Sequence, residues 1–185
     1  MMGKQYAALT DDHVAFIGEQ HLYFVGTAAR DGRVNVSPKG MESLRILSPN
    51  RILWLNLTGS GNETAPHLAD SPRITLMWCS FTTRPLILRA YGTARAIHRA
   101  EADWSALAAH LPEQPGARQI VDCTIDLVQS SCGYAVPFMD FREERTVLRT
   151  WAEGKGDEGL RAYWADRNAT SLDGVPTGIE GNLLQ

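Results

Sequence analysis

Residues 54–78 read WLNLTGSGNETAPHLADSPRITLMW, and this stretch decides the fold. Trp54 to Leu57 has the apolar character of a strand, and Thr58 to Gly61 is a glycine-rich polar loop. Cap-type Asn62 then leads through Glu63, Thr64 and Ala65 into a short helix with Leu68 near its end, and Arg73 to Ser80 is β-rich again. Backbone N–H groups of such a loop and of the first helical turn converge on one spot, where the helix dipole favours an anion such as phosphate. Thr58, Ser60, Asn62 and Thr64 add side-chain donors. A plain helix-capping loop uses the same residues, so the stretch by itself names a place rather than a ligand.

Toward the N-terminus, Asp11 to Glu19 has the pattern of a short amphipathic helix capped by Thr10 or Asp11, with Val14, Ile17 and Leu22 near one face. His21 to Ala29 is β-rich, Asp31-Gly32 is a hairpin turn, and Arg33 to Ser37 alternates. Leu44 to Leu47 and Arg51 to Leu57 form a second hairpin about Ser48-Pro49-Asn50. Toward the C-terminus, Leu86 to Ile97 is a long strand interrupted by Gly92, where a bulge or sharp bend is expected. Ala102 to His110 reads as helix and Ile120 to Val128 as strand. Glu143 to Asn168 reads as two helices broken near Gly154 to Gly156, and Ser171 to Gly178 as a turn-rich tail. The pattern predicts a mainly β fold with a few helices, a six-stranded antiparallel Greek-key-like barrel. Residues 1–185 form one domain, and about 131–185 are a helical extension that packs on the barrel or on a partner subunit.

Composition narrows the partners. Eighteen basic against 21 acidic side chains leave a net charge of -3, which argues against a nucleic-acid-binding surface. The longest apolar runs, Ile74 to Trp78 and Ile52 to Leu57, are far shorter than a membrane span, and Met1 to Gln5 carries no secretion signal. A cytoplasmic location is the expectation, with a small-molecule substrate. Cys79, Cys123 and Cys132 lack metal-type spacing, so neither a disulfide framework nor a metal site is expected. Cys79 and Cys123 sit in apolar runs as small hydrophobes. GxSxG, HExxH, Walker and GxGxxG motifs are all absent.

A second chemical element is NVSPKG, Asn35 to Gly40. Lys39, after an extended Ser37-Pro38, would bring a compact positive charge to a phosphate, and the Ser37 hydroxyl could reach a ring heteroatom or a ribityl oxygen. A lysine in a turn is also an ordinary solvated residue.

A hairpin, a strand ending in lysine, a second hairpin, a polar loop, a short helix with His67-Leu68 near its end and then PRITLMW together resemble the pyridoxamine 5′-phosphate oxidase family. The matching pieces are VNVSPK ending at Lys39, the stretch from Trp54 to Trp78, and RPLILRAYGTARAI from Arg84 to Ile97. The resemblance spans about residues 14–130. It implies an FMN-binding split β-barrel whose flavin lies at a homodimer interface, and a flavoprotein oxidoreductase acting on a small molecule. It places the cofactor against Ser37, Pro38, Lys39, Asn56, Thr58, Gly59, Ser60, Asn62, Glu63 and Thr64. The segment from Ser130 is the candidate lender of residues to the partner's site.

Departures from the family pattern carry information too. Where the oxidase proper grips the phosphate with a Ser-Arg-Lys triplet, this chain has Asn62, Glu63 and Thr64. Glu63 then either points outward or caps the helix, Lys39 and neutral donors carry the anion, and Arg89 or Arg84 supplies a missing charge. The stretch SSCGYAVPFMDF from Ser130 does not read like the oxidase C-terminus that holds pyridoxal phosphate, so production of that compound is not expected. Trp151, outside the strands, is the candidate for stacking on a flat ring. His67 reads as a packed residue, and no catalytic residue can be named. Deazaflavin or haem binding, and a non-catalytic flavin-binding or sensor module, fit the same fold.

Overall fold

The computed structural model describes residues 3–183. Its centre is two long antiparallel strands, β7 (Leu86–His98) and β8 (Ala117–Cys132), paired from Leu86 with Cys132 to His98 with Gln119. The opposite edge of β8 is divided: Ala117 to Thr124 pairs with β5 (Arg51–Leu57), and Val128 to Ser130 with β1 (Lys4–Tyr6). On the far side of β7 follow β6 (Arg73–Cys79), β2 (Tyr23–Thr27) and β3 (Asn35–Lys39), while β4 (Leu44–Ser48) flanks β5. All these pairings are antiparallel, and the chain has the split-barrel fold.

The sheet holds eight strands among the described residues, not six. Lys4–Tyr6 is too short and too polar to announce itself, and every apolar run read as a strand joins the one sheet. The bend expected at Gly92 is a bulge: Tyr91 faces Leu127 and Gly92 faces Ile125, leaving Asp126 as the extra residue on β8. That extra residue shifts the side-chain phase, so Ile125 and Val128, three apart, both enter the core. A Cβ on Gly92 would lie 1.9 Å from the Thr124 carbonyl oxygen, so only glycine fits there.

Apolar side chains fill two regions of the sheet. One face gathers Phe16, Val25, Trp54, Leu76, Trp78, Leu88 and Val121, and the other packs Leu53, Leu55, Ile97 and Ile120 under α3 (Trp104–Ala108). Helix α1 (Asp11–Gly18) is capped by Thr10, whose hydroxyl accepts from the His13 N–H while His13 Nδ1 accepts from the Thr10 N–H. It buries His13, Phe16 and Ile17, whereas Val14, expected inside, is largely exposed. Cys79 and Cys123 are buried and Cys132 exposed, all as free thiols.

Helix α4 (Val147–Arg167) is interrupted at Gly156, whose φ of 61° is left-handed, so the two-helix reading of this segment holds. Its second half lies on the barrel: Trp164 donates its indole N–H to Thr58 Oγ1 at 2.8 Å. Among the described residues, no helix is long and apolar enough to cross a membrane.

Candidate functional site

A cleft of about 830 Å³ opens between β3, the end of β5, the glycine loop and the C-terminal segment. Alternation along β3 leaves Asn35, Ser37 and Lys39 half-buried and exposes Val36 and Pro38. Asn35, Ser37, Pro38 and Lys39 line the cleft together with Trp54, Asn56, Thr58, Gly59, Ser60, Glu63 and Thr64. The strand end, the glycine loop and the lysine turn, separate in sequence, therefore share one cavity.

Three of the sequence-derived site residues lie elsewhere. Asn62 is buried beneath the loop, donating from Nδ2 to the Asn168 carbonyl at 3.5 Å. It does not cap the next helix, α2 (Thr64–Asp70); Glu63 occupies the cap position without a side-chain bond. Arg89, on β7, donates to Ser131 Oγ at 3.2 Å. Trp151 meets Tyr163 edge to face, with ring centres 5.0 Å apart. His67 is buried, its Nδ1 3.1 Å from Thr27 Oγ1.

The donors named from the loop divide in two. Thr58 is saturated: its hydroxyl donates to the Gly116 carbonyl at 2.7 Å and accepts from Trp164. Asn56 donates from Nδ2 to Gln119 Oε1 at 2.8 Å. Both hold the cleft wall in shape. Ser60 is exposed and Ser37 half-buried, both line the cavity, and neither hydroxyl bonds another side chain among the described residues.

The cation that complements Lys39 is Arg118 on β8, rather than Arg84, which pairs with Asp12 at the surface, or Arg89. Arg118 is 4% exposed, donates to Asn168 Oδ1 at 2.6 Å and to the Gly61 carbonyl at 2.8 Å, and keeps a buried Nε–H with no partner among the described residues. Lys39 holds its ammonium 4.9 Å from the centre of the Trp54 ring. Burial, and secondly the Arg118 charge, pull the Lys39 ammonium down to about 8. Burial likewise lowers Arg118 to about 10, against the pull of Tyr163 and Glu63. Both remain charged at neutral pH.

Neither cation forms a salt bridge among the described residues. The carboxylate facing Arg118, Glu63, is engaged by the Leu172 N–H at 3.0 and 3.2 Å from its two oxygens. The Glu63 side chain thus makes no cap bond; it ties the C-terminal segment to the loop. Two like charges drawn partly out of water with no salt bridge are costly, and an anion bound between them reduces that cost. The Trp54 indole N–H, also unpartnered and buried, adds a neutral donor at the same wall.

Arg118 left no distinguishing trace in the sequence: it stands just before the run read as a strand, in a stretch that also carries Gln119, Asp122, Thr124 and Asp126. Arg167, Thr170 and Ser171, which also line the cleft, left none that distinguishes them from an ordinary tail.

Residues 9–132 match the family described as pyridoxamine 5′-phosphate oxidase. A curated relative, the pyridoxamine 5′-phosphate oxidase family protein ustO of Aspergillus flavus, is 34% identical over 189 residues, covering 92% of this chain and 76% of its own. Among solved structures, a provisionally named pyridoxamine 5′-phosphate oxidase of Lactobacillus delbrueckii superposes with a TM-score of 0.56 at 22% identity, covering 69% of this chain and 98% of its own. A HupZ variant of Group A Streptococcus gives 0.52 at 19% identity, with coverage of 66% and 98%.

Proposed function

The chain belongs to the pyridoxamine 5′-phosphate oxidase family, and from that premise we propose that it is an FMN-dependent oxidoreductase that holds the flavin phosphate between Lys39 and Arg118 and acts on a small organic molecule. The observation that carries this reading is a pair of cations in one cleft, Arg118 buried and Lys39 half-buried, neither in a salt bridge among the described residues. A phosphate dianion matches their charge, and the unpartnered Arg118 Nε–H offers it a donor. The cavity, at about 830 Å³, is of the size that encloses a cofactor. One phosphate site and no second glycine-rich turn favour FMN over FAD.

When bound, the flavin ring supplies reversible two-electron transfer. The chain's own residues bind and orient. Lys39 and Arg118 anchor the anion, the Ser37 and Ser60 hydroxyls offer hydrogen bonds along the cavity, and Trp54 closes its apolar wall. Reduction of the holoprotein under argon tests the enzyme reading. A donor from a panel of amines, alcohols and reduced nicotinamides should bleach the flavin absorbance, and air should restore it. A holoprotein that no donor reduces is a carrier or sensor instead.

The same reading makes the protein a homodimer. Its support is apolar surface with nothing over it: Phe138 is 78% exposed, Tyr134 69% and Met139 60%, all in the irregular segment following β8. Val34 and Val36 leave a second apolar patch at β3. A copy of the chain covering both would remove exposed surface of the kind that monomers avoid. A cytoplasmic setting, part of the proposal, suits the exposed free thiol of Cys132.

A further inference from the structure

The C-terminal segment after α4, outside the stretch that matches the family, is wired into the cation site through one side chain. Asn168 is fully buried, and every polar atom of its amide is used. Oδ1 accepts from Arg118 Nη1 at 2.6 Å, and Nδ2 donates to the Gly59 carbonyl at 3.1 Å. Its backbone carbonyl accepts from Asn62 Nδ2 and from the Thr177 hydroxyl. One residue therefore ties the guanidinium to the glycine loop, while Arg118 Nη2 closes the ring of contacts on the Gly61 carbonyl. Leu172 on Glu63 and Asp173 on Arg33 pin the following turn to the loop and to the β2–β3 hairpin.

We infer that Asn168 is a positioning residue for anion recognition, one that fixes Arg118 without neutralising it. The choice of amide is the point. An aspartate in this place would accept the same Arg118 hydrogen bond more strongly, yet it would also set a carboxylate directly against the guanidinium, which has no salt bridge among the described residues, and compete with any bound anion. An amide acceptor aims the guanidinium and leaves its charge for the ligand. The buried Nε–H of Arg118, with no partner among the described residues, is the donor that this orientation keeps free.

The inference rests on the phosphate-binding reading, and two ligands separate them. FMN and riboflavin share the ring and ribityl chain and differ by the phosphate, so riboflavin reports the folded cavity and FMN adds the anion site. Asn168→Asp should weaken FMN by about tenfold or more, while riboflavin affinity stays within about threefold of wild type. Asn168→Ala, which frees Arg118 without neutralising it, should weaken FMN by less than the aspartate. A purely structural role weakens FMN and riboflavin together, because both variants lose the Nδ2 contact to the Gly59 carbonyl that shapes the loop. FMN and riboflavin weakened by one common factor, or an aspartate variant that binds FMN as wild type does, would overturn the inference. A wild-type chain that binds neither flavin contradicts the proposed function itself, and the inference falls with it.

Discussion

Replacing Lys39 with methionine is expected to stabilise the ligand-free protein and to weaken FMN binding, two effects of opposite sign from the removal of one charge. Methionine keeps the apolar stem over Trp54 and removes an ammonium that burial and Arg118 both oppose. Losing a charge-assisted contact to phosphate should cost about 1.5–3 kcal/mol, a ten- to hundredfold rise in the dissociation constant. The pH dependence carries the same signature. Lys39 has a folded value of about 8 against an ordinary 10.5, so between them the unfolded chain binds the extra proton. Stability of the ligand-free protein from this group therefore rises with pH through that window. A bound phosphate favours the charged lysine, so FMN affinity falls as pH climbs past about 8. Lys39→Met should lack both slopes. Thermal melts and flavin-fluorescence titrations from pH 7 to about 9.5 measure them; a wild-type affinity that does not fall relative to the variant would remove Lys39 from the phosphate.

Gly92→Ala should cost roughly 3 kcal/mol or more, because the new methyl group meets backbone rather than a movable side chain. The Thr124 carbonyl lies on the strand that carries Arg118 and pairs with both β5 and β7, so relief of the clash must displace the centre of the sheet. Gly154→Ala is the control: a Cβ there meets no atom within 4 Å, and a helical alanine should be neutral or slightly stabilising. Urea unfolding of both variants checks the pair. A Gly92→Ala protein within about 1 kcal/mol of wild type would mean that the bulge can migrate along β8.

The strands were legible because their cause is local. Alternation, the Asp31-Gly32 turn and Gly92 each act within a few residues, and the structure places a hairpin and a bulge at those points. One side of the site was legible for the same reason: the glycine loop follows its strand directly, and Lys39 ends its own. The other side depends on register. Asn56 pairs with Gln119 and Leu57 with Ala117, which is what carries Arg118 to the loop from some sixty residues away. No short-range pattern encodes that pairing, so the sequence alone points to Arg84 and Arg89, which stand in or beside a strand that local alternation marks. Asn168 is further still, delivered only when Trp164 docks on Thr58. Trp151 had the right chemistry for stacking, but its helix turns it toward Tyr163.

The central claim, that the Lys39–Arg118 cleft holds FMN, is tested most directly by size-exclusion chromatography with in-line light scattering and visible absorbance on the FMN-saturated protein. The expected result is one peak at twice the 20.4 kDa chain mass that carries flavin absorbance, with heat-released ligand running as FMN. Protein that elutes free of flavin after saturation, or that retains only FAD, would contradict it.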